Sequence, residues 1–275
     1  MPPARRIRAD LTGAPQTMLA TLYAKAVDAG TENPVLGDTL AREVVDRIDY
    51  DWSKTSVTPR NSGSVTVRTV HFDSWTRQFL AVHDRAVVLH LGCGLDSRVF
   101  RVDPGPGVDW YDVDHPDVIA LRHQLYPARA HTHLVAAASV TDPGWVTELH
   151  GDRPTLMVAE GLTMYLPEGD GVALLRSIVD HFPSGELQFD AFNWLGIKAQ
   201  VINAVVRRSG ATLQWAINGP DDIIRAVPGV RLLAAVSFAD LDTFQRVPRL
   251  YRLIAATMSV TPATRNMAQF HRYAF

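Results

Sequence analysis

The chain has 275 residues, of which 47% are apolar and 20% are charged, and its formal net charge is -2. This composition excludes a disordered chain, because it provides enough apolar surface to form a core. The near-neutral charge and the absence of any lysine or arginine run longer than a pair also argue against a nucleic-acid-binding protein.

The N-terminus and the cysteine content favour a cytoplasmic location. The first residues are basic, but no apolar stretch of a signal peptide follows them, and no apolar run is long enough to span a bilayer. Cys93 is the single cysteine and cannot form an internal disulfide, which fits a reducing compartment. We therefore expect a cytoplasmic monomer or homodimer with a small-molecule substrate and no membrane or nucleic-acid partner.

Helical periodicity dominates the start of the chain and predicts an N-terminal helical cap over residues 1–85. Apolar and small residues recur at helical spacing over 17–48, with a break at 30–34, and again over 65–82. The polar stretch 49–64 predicts a loop between these helices. The last helix is predicted to bury a stripe formed by Val70, Trp75, Phe79 and Leu80.

From residue 86 onwards, strand and helix signals alternate along the chain. Such alternation predicts an α/β fold with a Rossmann-like, doubly wound and mostly parallel seven-stranded sheet. Residues 86–192 would form its core, and residues 229–275 would add the C-terminal strands. The predicted strands are 87–91, 109–114, 133–137, 155–159, 187–192, 230–236 and 251–258.

Residues 193–228 interrupt the strand pattern. This segment is rich in helix formers and contains Trp194 and Trp215. A helical insertion that covers a ligand crevice would have this composition, and so would a peripheral helix pair. We predict a helical lid insertion within one enlarged domain.

A glycine turn follows the first strand of the predicted core. Gly92-Cys93-Gly94 allows a tight turn and brings backbone N–H groups close to a ligand. Asp114 ends the next strand about twenty residues later, where a carboxylate can accept both hydroxyls of a ribose. Ligands of open parallel sheets bind beyond the carboxyl ends of the central strands. The pattern therefore indicates a nucleoside site.

Two residues after this turn help to distinguish a dinucleotide from a nucleoside ligand that carries a positive charge. Dinucleotide-binding turns have a third glycine at the position that Ser97 occupies in this chain. Asp96 places a carboxylate where it would repel a pyrophosphate but tolerate an ammonium or sulfonium cation. An NAD(P)-dependent oxidoreductase is therefore the less favoured alternative.

Several longer motifs extend the pattern around the glycine turn. They are VVLHLGCGLDSR (87–98), WYDVDHP (110–116), LYAKA (22–26), VRT (67–69) and AEGLTMYL (159–166). Together these motifs resemble the leucine carboxyl methyltransferase family, and especially its bacterial polyketide-tailoring branch, which is similar to the tetracenomycin carboxyl methyltransferase. The resemblance implies a Rossmann-like O-methyltransferase that uses S-adenosyl-L-methionine.

Matched position by position, the resemblance implies a role for several charged residues. Arg68, with Lys25, would pair with the carboxylate of the methionine moiety, and Glu160 would hold its ammonium group. Gly92 would lie against the cofactor, and Asp114 would accept the ribose hydroxyls. Independently of the family, a cofactor with a carboxylate, an ammonium, a sulfonium and a diol needs a cation, an anion and a diol acceptor in one crevice.

One position departs from the family pattern. The acidic residue usually found near the adenine is replaced by Ser139, which would bind the adenine amino group less strongly. This departure keeps open an inactive binding or scaffold protein of the same fold. The predicted cofactor site, with no metal, comprises Lys25, Arg68, Gly92, Cys93, Gly94, Asp96, Asp114, His115, Ser139 and Glu160.

Transfer of a methyl group from an activated sulfonium needs alignment more than acid–base chemistry. A carboxylate acceptor needs no general base, whereas a hydroxyl acceptor does. We therefore assign no catalytic residue and predict methylation of a carboxylate or hydroxyl of a small polyketide-like molecule. The candidates for contacting it are Tyr165, Trp194 and Arg207.

Overall fold

The computed structural model describes residues 6–8, 15–59, 61–142, 144–201, 211–246, 252–253 and 260–275. Arg207, a predicted substrate-side residue, lies outside the described residues, as does most of the predicted strand 251–258.

The strands of the described residues form a small pair and a seven-stranded sheet. The pair is parallel and joins β1 (Ile7–Arg8) to β2 (Ile48–Asp49). The large sheet has the order β5-β4-β3-β6-β7-β9-β8, and only β9 runs antiparallel to its neighbours. Its strands are β3 (Ala86–Leu91), β4 (Val108–Asp114), β5 (Thr132–Ala136), β6 (Thr155–Ala159), β7 (Gly185–Phe192), β8 (Arg231–Ser237) and β9 (Ala268–Ala274).

The central strands are buried on both faces. Every residue of β3 and of β6 is buried, which explains their nearly continuous apolar sequences. Leu91 pairs with Val113 of β4, and His90 pairs with Val158 of β6. The chain winds in one direction from β3 to β4 and in the other direction to β6. This switch point opens a crevice at the carboxyl ends of the three strands.

Helices cover both faces of this sheet and its carboxyl edge. They are α1 (Pro15–Ala29), α2 (Thr39–Arg47), α3 (Gly63–Leu80), α4 (Arg98–Val102), α5 (Pro116–Leu125), α6 (Gly144–Thr147), α7 (Glu168–His181), α8 (Trp194–Lys198), α9 (Pro220–Ala226) and α10 (Pro262–Arg265). Short 3-10 helices span Trp52–Thr55, Thr163–Tyr165, Ala199–Val201, Phe238–Asp240 and Asp242–Arg246.

Apolar clusters hold helices to both faces of the sheet, and a third cluster places α1 over the crevice. On one face of the sheet, Leu89 packs in a cluster with Ile178 of α7, and on the other face Val88 packs in a cluster with Phe72 of α3. A third cluster unites α1, α2 and α5 with Leu95 of the glycine turn. Because each buried aliphatic side chain contributes about 1.5–3 kcal/mol, this third cluster holds α1 against the turn.

The buried stripe of α3 differs from the prediction. Trp75 and Phe79 are buried as expected, but Val70 and Leu80 are only partly buried. Their places are taken by Val67 and Phe72. The buried side of the helix carries polar as well as apolar residues. A prediction from the apolar pattern alone therefore places the buried side incorrectly.

The predicted last strand is also wrong where the structure describes it. Of residues 251–258, the structure describes Arg252 and Leu253, which are helical. The sheet is instead completed by β9, whose sequence AQFHRYA alternates poorly because it contains polar residues that are buried. His271 is one of these, and its Nδ1 lies 2.8 Å from the hydroxyl of Tyr273. Because these buried polar residues interrupt the apolar alternation, the sequence pattern does not reveal the strand.

The described part of the predicted lid combines short helices with a non-helical stretch. It consists of α8, the 3-10 turn that follows it, an extended stretch over 211–217 and α9. Trp215 is buried, and a Cβ added at Gly171 would lie 2.2 Å from its ring, so Trp215 is a packing residue. Trp194 is 48% exposed, with the ammonium of Lys198 over its ring. The proposed domain boundaries remain a prediction.

Candidate active site

A cavity of about 490 Å³ opens at the carboxyl ends of β3, β4 and β6. Gly92 and Asp114, from neighbouring strands, face this same cavity. All of the predicted cofactor residues line it, namely Lys25, Arg68, Gly92, Cys93, Gly94, Asp96, Asp114, His115, Ser139 and Glu160.

The glycine turn has the conformation that its sequence predicts. Gly92 and Gly94 have φ values of +59° and +50°, a region that favours glycine. Space restricts the turn as well, because a Cβ at Gly94 would lie 2.8 Å from Cγ of Met18 in α1. The turn therefore brings its backbone directly against the cavity and against α1.

Asp114 is held by backbone donors at the tip of β4. Its Oδ2 accepts a hydrogen bond from the N–H of Gly94, and its Oδ1 accepts one from the N–H of His115, both at 2.7 Å. Burial raises the pKa of Asp114, and the two backbone hydrogen bonds act in the opposite direction. A carboxylate fixed in this way can accept hydrogen bonds from the hydroxyl groups of a ligand in the cavity.

A buried arginine, Arg122, supports the turn from below. Its Nη1 donates to the carbonyl oxygens of Gly94 and Asp96, both at 2.8 Å, and its Nη2 pairs with Asp112. The hydroxyl of Tyr126 adds a 2.7 Å bond to the carbonyl of Leu95. Sequence reasoning missed Arg122, because an arginine is normally solvent-exposed.

Arg68 and Glu160 are bonded to each other at the edge of the cavity. Arg68 Nε donates to Glu160 Oε1 at 3.0 Å, and Arg98 pairs with the other carboxylate oxygen. Burial would raise the pKa of Glu160, but the charges of Lys25, Arg68 and Arg98 outweigh it and lower the pKa to about 2. Both predicted charges are thus site residues in a network and not solvated surface groups.

Lys25 forms a second ion pair across the cavity wall. Its Nζ lies 3.0 Å from Oδ2 of Asp96, whose Oδ1 pairs with Arg101 at 2.7 Å. Burial would raise the pKa of Asp96, but the cations Arg101, Lys25 and Arg98 hold it well below its usual range. Lys25 belongs to α1, so this pair links the helix to the turn that follows β3.

A third carboxylate, which sequence reasoning missed, completes this group. Asp190 of β7 is buried, and its Oδ2 lies 3.1 Å from Nη1 of Arg68. Burial would lower the pKa of Arg68, but Asp190 and Glu160 raise it. Asp190 lies inside β7, before the strand ends, so the rule that selected Asp114 at the tip of its strand does not find it.

The remaining predicted residues lie at the cavity with ordinary partners. Ser139 follows β5, and its Oγ lies 2.7 Å from Oγ1 of Thr141. Burial raises the pKa of the Cys93 thiol well above its usual value. His90 of β3 places Nδ1 2.8 Å from Oδ1 of Asp112 and also reaches the cavity.

Part of the cavity lining is apolar. Tyr165 is one of the lining residues, and burial raises the pKa of its phenol, while the charge of Arg68 and a hydrogen bond with Thr17 act against that rise. Trp194, the other described substrate-side candidate, does not line the cavity. Besides the predicted cofactor residues, the cavity lining includes Thr17, Val65, Leu162, Met164, Tyr165, Leu166 and Phe192.

No cluster of potential metal ligands occurs in the part of the chain that the structure describes. In the same ranges, no helix combines the length and the apolar character that a membrane-crossing segment needs.

The sheet order and the switch-point cavity define a Rossmann-like methyltransferase fold. A structure from Thermobifida fusca, described as a candidate methyltransferase, superposes with a TM-score of 0.63 at 17% identity and covers 95% of this chain and 94% of that one. The plantazolicin methyltransferase BamL superposes with a TM-score of 0.51 at 10% identity, covering 94% of this chain and 96% of that one.

Sequence comparison assigns the family. Residues 16–179 match the family model of leucine carboxyl methyltransferases. The tetracenomycin polyketide synthesis O-methyltransferase TcmP of Streptomyces glaucescens is 42% identical over 265 residues, which are 96% of this chain and 98% of that protein. The S-adenosyl-L-methionine-dependent methyltransferase dpfgK of Gibberella zeae is 36% identical over 80% of this chain and 81% of its own length. The chain belongs to the leucine carboxyl methyltransferase family.

These matches confirm the resemblance, the predicted fold class and the predicted class of enzyme. The chain is a methyltransferase, and its cofactor is S-adenosyl-L-methionine. The individual roles of the site residues are proposals that follow from the geometry above.

Proposed function

We propose that this enzyme transfers the methyl group of S-adenosyl-L-methionine to a carboxylate, or alternatively a hydroxyl, of a small polyketide-like molecule. The observation that carries the proposal is that one cavity brings together the cations Lys25 and Arg68, the carboxylates of Asp96 and Glu160, and Asp114 around the glycine turn. The relative TcmP, named for tetracenomycin polyketide synthesis, supports the substrate class.

The chemistry of the wall fits each part of this cofactor. Asp114 would accept the ribose hydroxyls, because both of its oxygens are already oriented by backbone donors. Arg68 and Lys25 would bind the carboxylate of the methionine moiety, and Glu160 its ammonium group. Ser139, beyond β5, would contact the adenine.

Bound in this way, the cofactor supplies a methyl group on a positively charged sulfur. The task of the chain is then to align an acceptor oxygen and to exclude water, and alignment contributes roughly 7–11 kcal/mol in favourable cases. The apolar part of the cavity lining suits exclusion of water, and α1 covers the glycine turn through Met18.

A carboxylate is the acceptor that the cavity lining favours. Among the described lining residues outside the predicted cofactor site, His90 and Tyr165 carry titratable side chains. His90 is buried inside β3 with Nδ1 2.8 Å from Oδ1 of Asp112, and burial raises the pKa of the Tyr165 phenol. A phenol that stays protonated is a poor general base. A carboxylate acceptor needs none, because it is already a nucleophile at neutral pH, and Tyr165 would then donate a hydrogen bond to it.

The test uses an aromatic polyketide acid, its methyl ester and a phenol without a carboxyl group, each with methyl-labelled cofactor. We expect the enzyme to label the acid and neither of the other two compounds. The labelled product should be a methyl ester, so mild alkaline hydrolysis should release the label as methanol. Label that survives this treatment would indicate an ether and therefore a hydroxyl acceptor. Binding of S-adenosylhomocysteine without turnover of any acceptor would instead support the scaffold alternative. A monomeric or homodimeric state remains a prediction.

A further inference from the structure

Asp190 connects two elements of the site without lining the cavity itself. Its Oδ1 accepts a 2.6 Å hydrogen bond from the N–H of Gly161, and its Oδ2 accepts a 3.1 Å bond from Nη1 of Arg68. The side chain is only 8% exposed. Asp190 thus joins the turn after β6, which carries Glu160, to an arginine that comes from α3.

The guanidinium of Arg68 is held at two points. Nε donates to Glu160 and Nη1 donates to Asp190, so the orientation of the planar group is defined. Among the described residues, Nη2 has no hydrogen-bond or ion-pair partner, and Arg68 is 20% exposed at the cavity. The remaining donor is therefore available to a ligand.

We propose that Asp190 is a positioning residue that directs the free Nη2 of Arg68 toward the carboxylate of the cofactor. The inference rests on the proposed function, because it assumes that Arg68 binds this carboxylate. Asp190 itself would touch neither the cofactor nor the acceptor.

Electrostatics and positioning make opposite predictions for this residue. As a negative charge near the site, Asp190 repels the carboxylate of the cofactor, so its neutralisation would tighten binding if charge alone mattered. As an anchor, Asp190 prevents rotation of the guanidinium, so its neutralisation would weaken binding. An asparagine keeps the size and an acceptor oxygen for the N–H of Gly161, and it removes the charge-assisted bond to Arg68.

Two ligands separate positioning from general damage to the fold. S-adenosylhomocysteine has the adenosine and the amino-acid group, whereas 5′-methylthioadenosine has the adenosine and no carboxylate. We expect Asp190→Asn to weaken binding of the first by about tenfold and of the second by less than about twofold, measured by calorimetry. A local collapse would weaken both ligands equally.

A double-mutant cycle and a control complete the experiment. In a protein that already carries Arg68→Met, the further substitution Asp190→Asn should weaken S-adenosylhomocysteine binding by less than about twofold, because the arginine that Asp190 orients is absent. Asp109→Asn is the matched control, since it removes a carboxylate that pairs with Arg153 at 2.7 Å at the opposite end of β4. This control substitution should leave the affinities for both ligands unchanged.

Equal losses for both ligands, an unchanged affinity or a tighter S-adenosylhomocysteine complex in Asp190→Asn would each overturn the inference. Failure of the unmodified protein to bind S-adenosylhomocysteine would instead overturn the proposed cofactor site. The two failures are therefore distinguishable.

Discussion

The backbone N–H of Gly94 donates a 2.7 Å hydrogen bond to Oδ2 of Asp114. This bond joins the glycine turn after β3 to the tip of β4, so the two features that the sequence places about twenty residues apart act as one unit. Because the carboxylate is oriented before a ligand arrives, binding does not have to order it.

Asp114→Ala should weaken binding of S-adenosylhomocysteine by at least about tenfold, equivalent to roughly 1.4 kcal/mol. The substitution removes the proposed acceptor of the ribose hydroxyls and leaves the N–H of Gly94 without its partner. Calorimetry would measure the affinity, and a melting curve would show whether the fold persists. An affinity that does not change would refute the ribose role.

Gly94→Ala should destabilise the protein by about 1–3 kcal/mol and weaken cofactor binding. Its φ of +50° disfavours any side chain, and the added Cβ would meet Met18 at 2.8 Å. Gly105→Ala provides the control, because a Cβ there meets no atom within 4 Å. Thermal unfolding of both variants would test this, and equal melting temperatures would contradict it.

Arg122→Lys should cost about 1–3 kcal/mol of stability, although the charge is retained. A lysine cannot serve the carbonyl oxygens of Gly94 and Asp96 and the carboxylate of Asp112 together. Arg129→Lys is the control, because the pair of Arg129 with the 74% exposed Asp103 is solvated. Urea unfolding should separate the two variants, and a stable Arg122→Lys protein would show that the turn needs no such support.

The stability that ionised Glu160 contributes should be lost in acid. Because its pKa is lowered in the folded protein, this contribution is present above the unfolded pKa and disappears as the pH falls toward about 2. Across this window the loss would be about 3 kcal/mol. In urea unfolding between about pH 6 and pH 3, Glu160→Gln should therefore show a shallower pH dependence than the unmodified chain. Parallel curves would contradict the assignment.

The sequence by itself predicted the sheet core and the residues after its strands that line the cavity. Continuous apolar runs mark buried parallel strands, and glycines with acids at strand ends mark a crevice, so Gly92, Asp114 and Glu160 were recognisable. These signals are local, which is why a single chain without a structure reveals them.

Only the tertiary structure decided what surrounds those residues. Arg122 and Asp190 act through partners 28 and 122 positions away, and no spacing rule connects such positions. The buried polar residues of β9 hid the last strand for the same reason, since their hydrogen bonds exist only after folding. Burial and pairing of charge are properties of the packed molecule, because the free-energy cost of each buried group depends on partners that packing brings together.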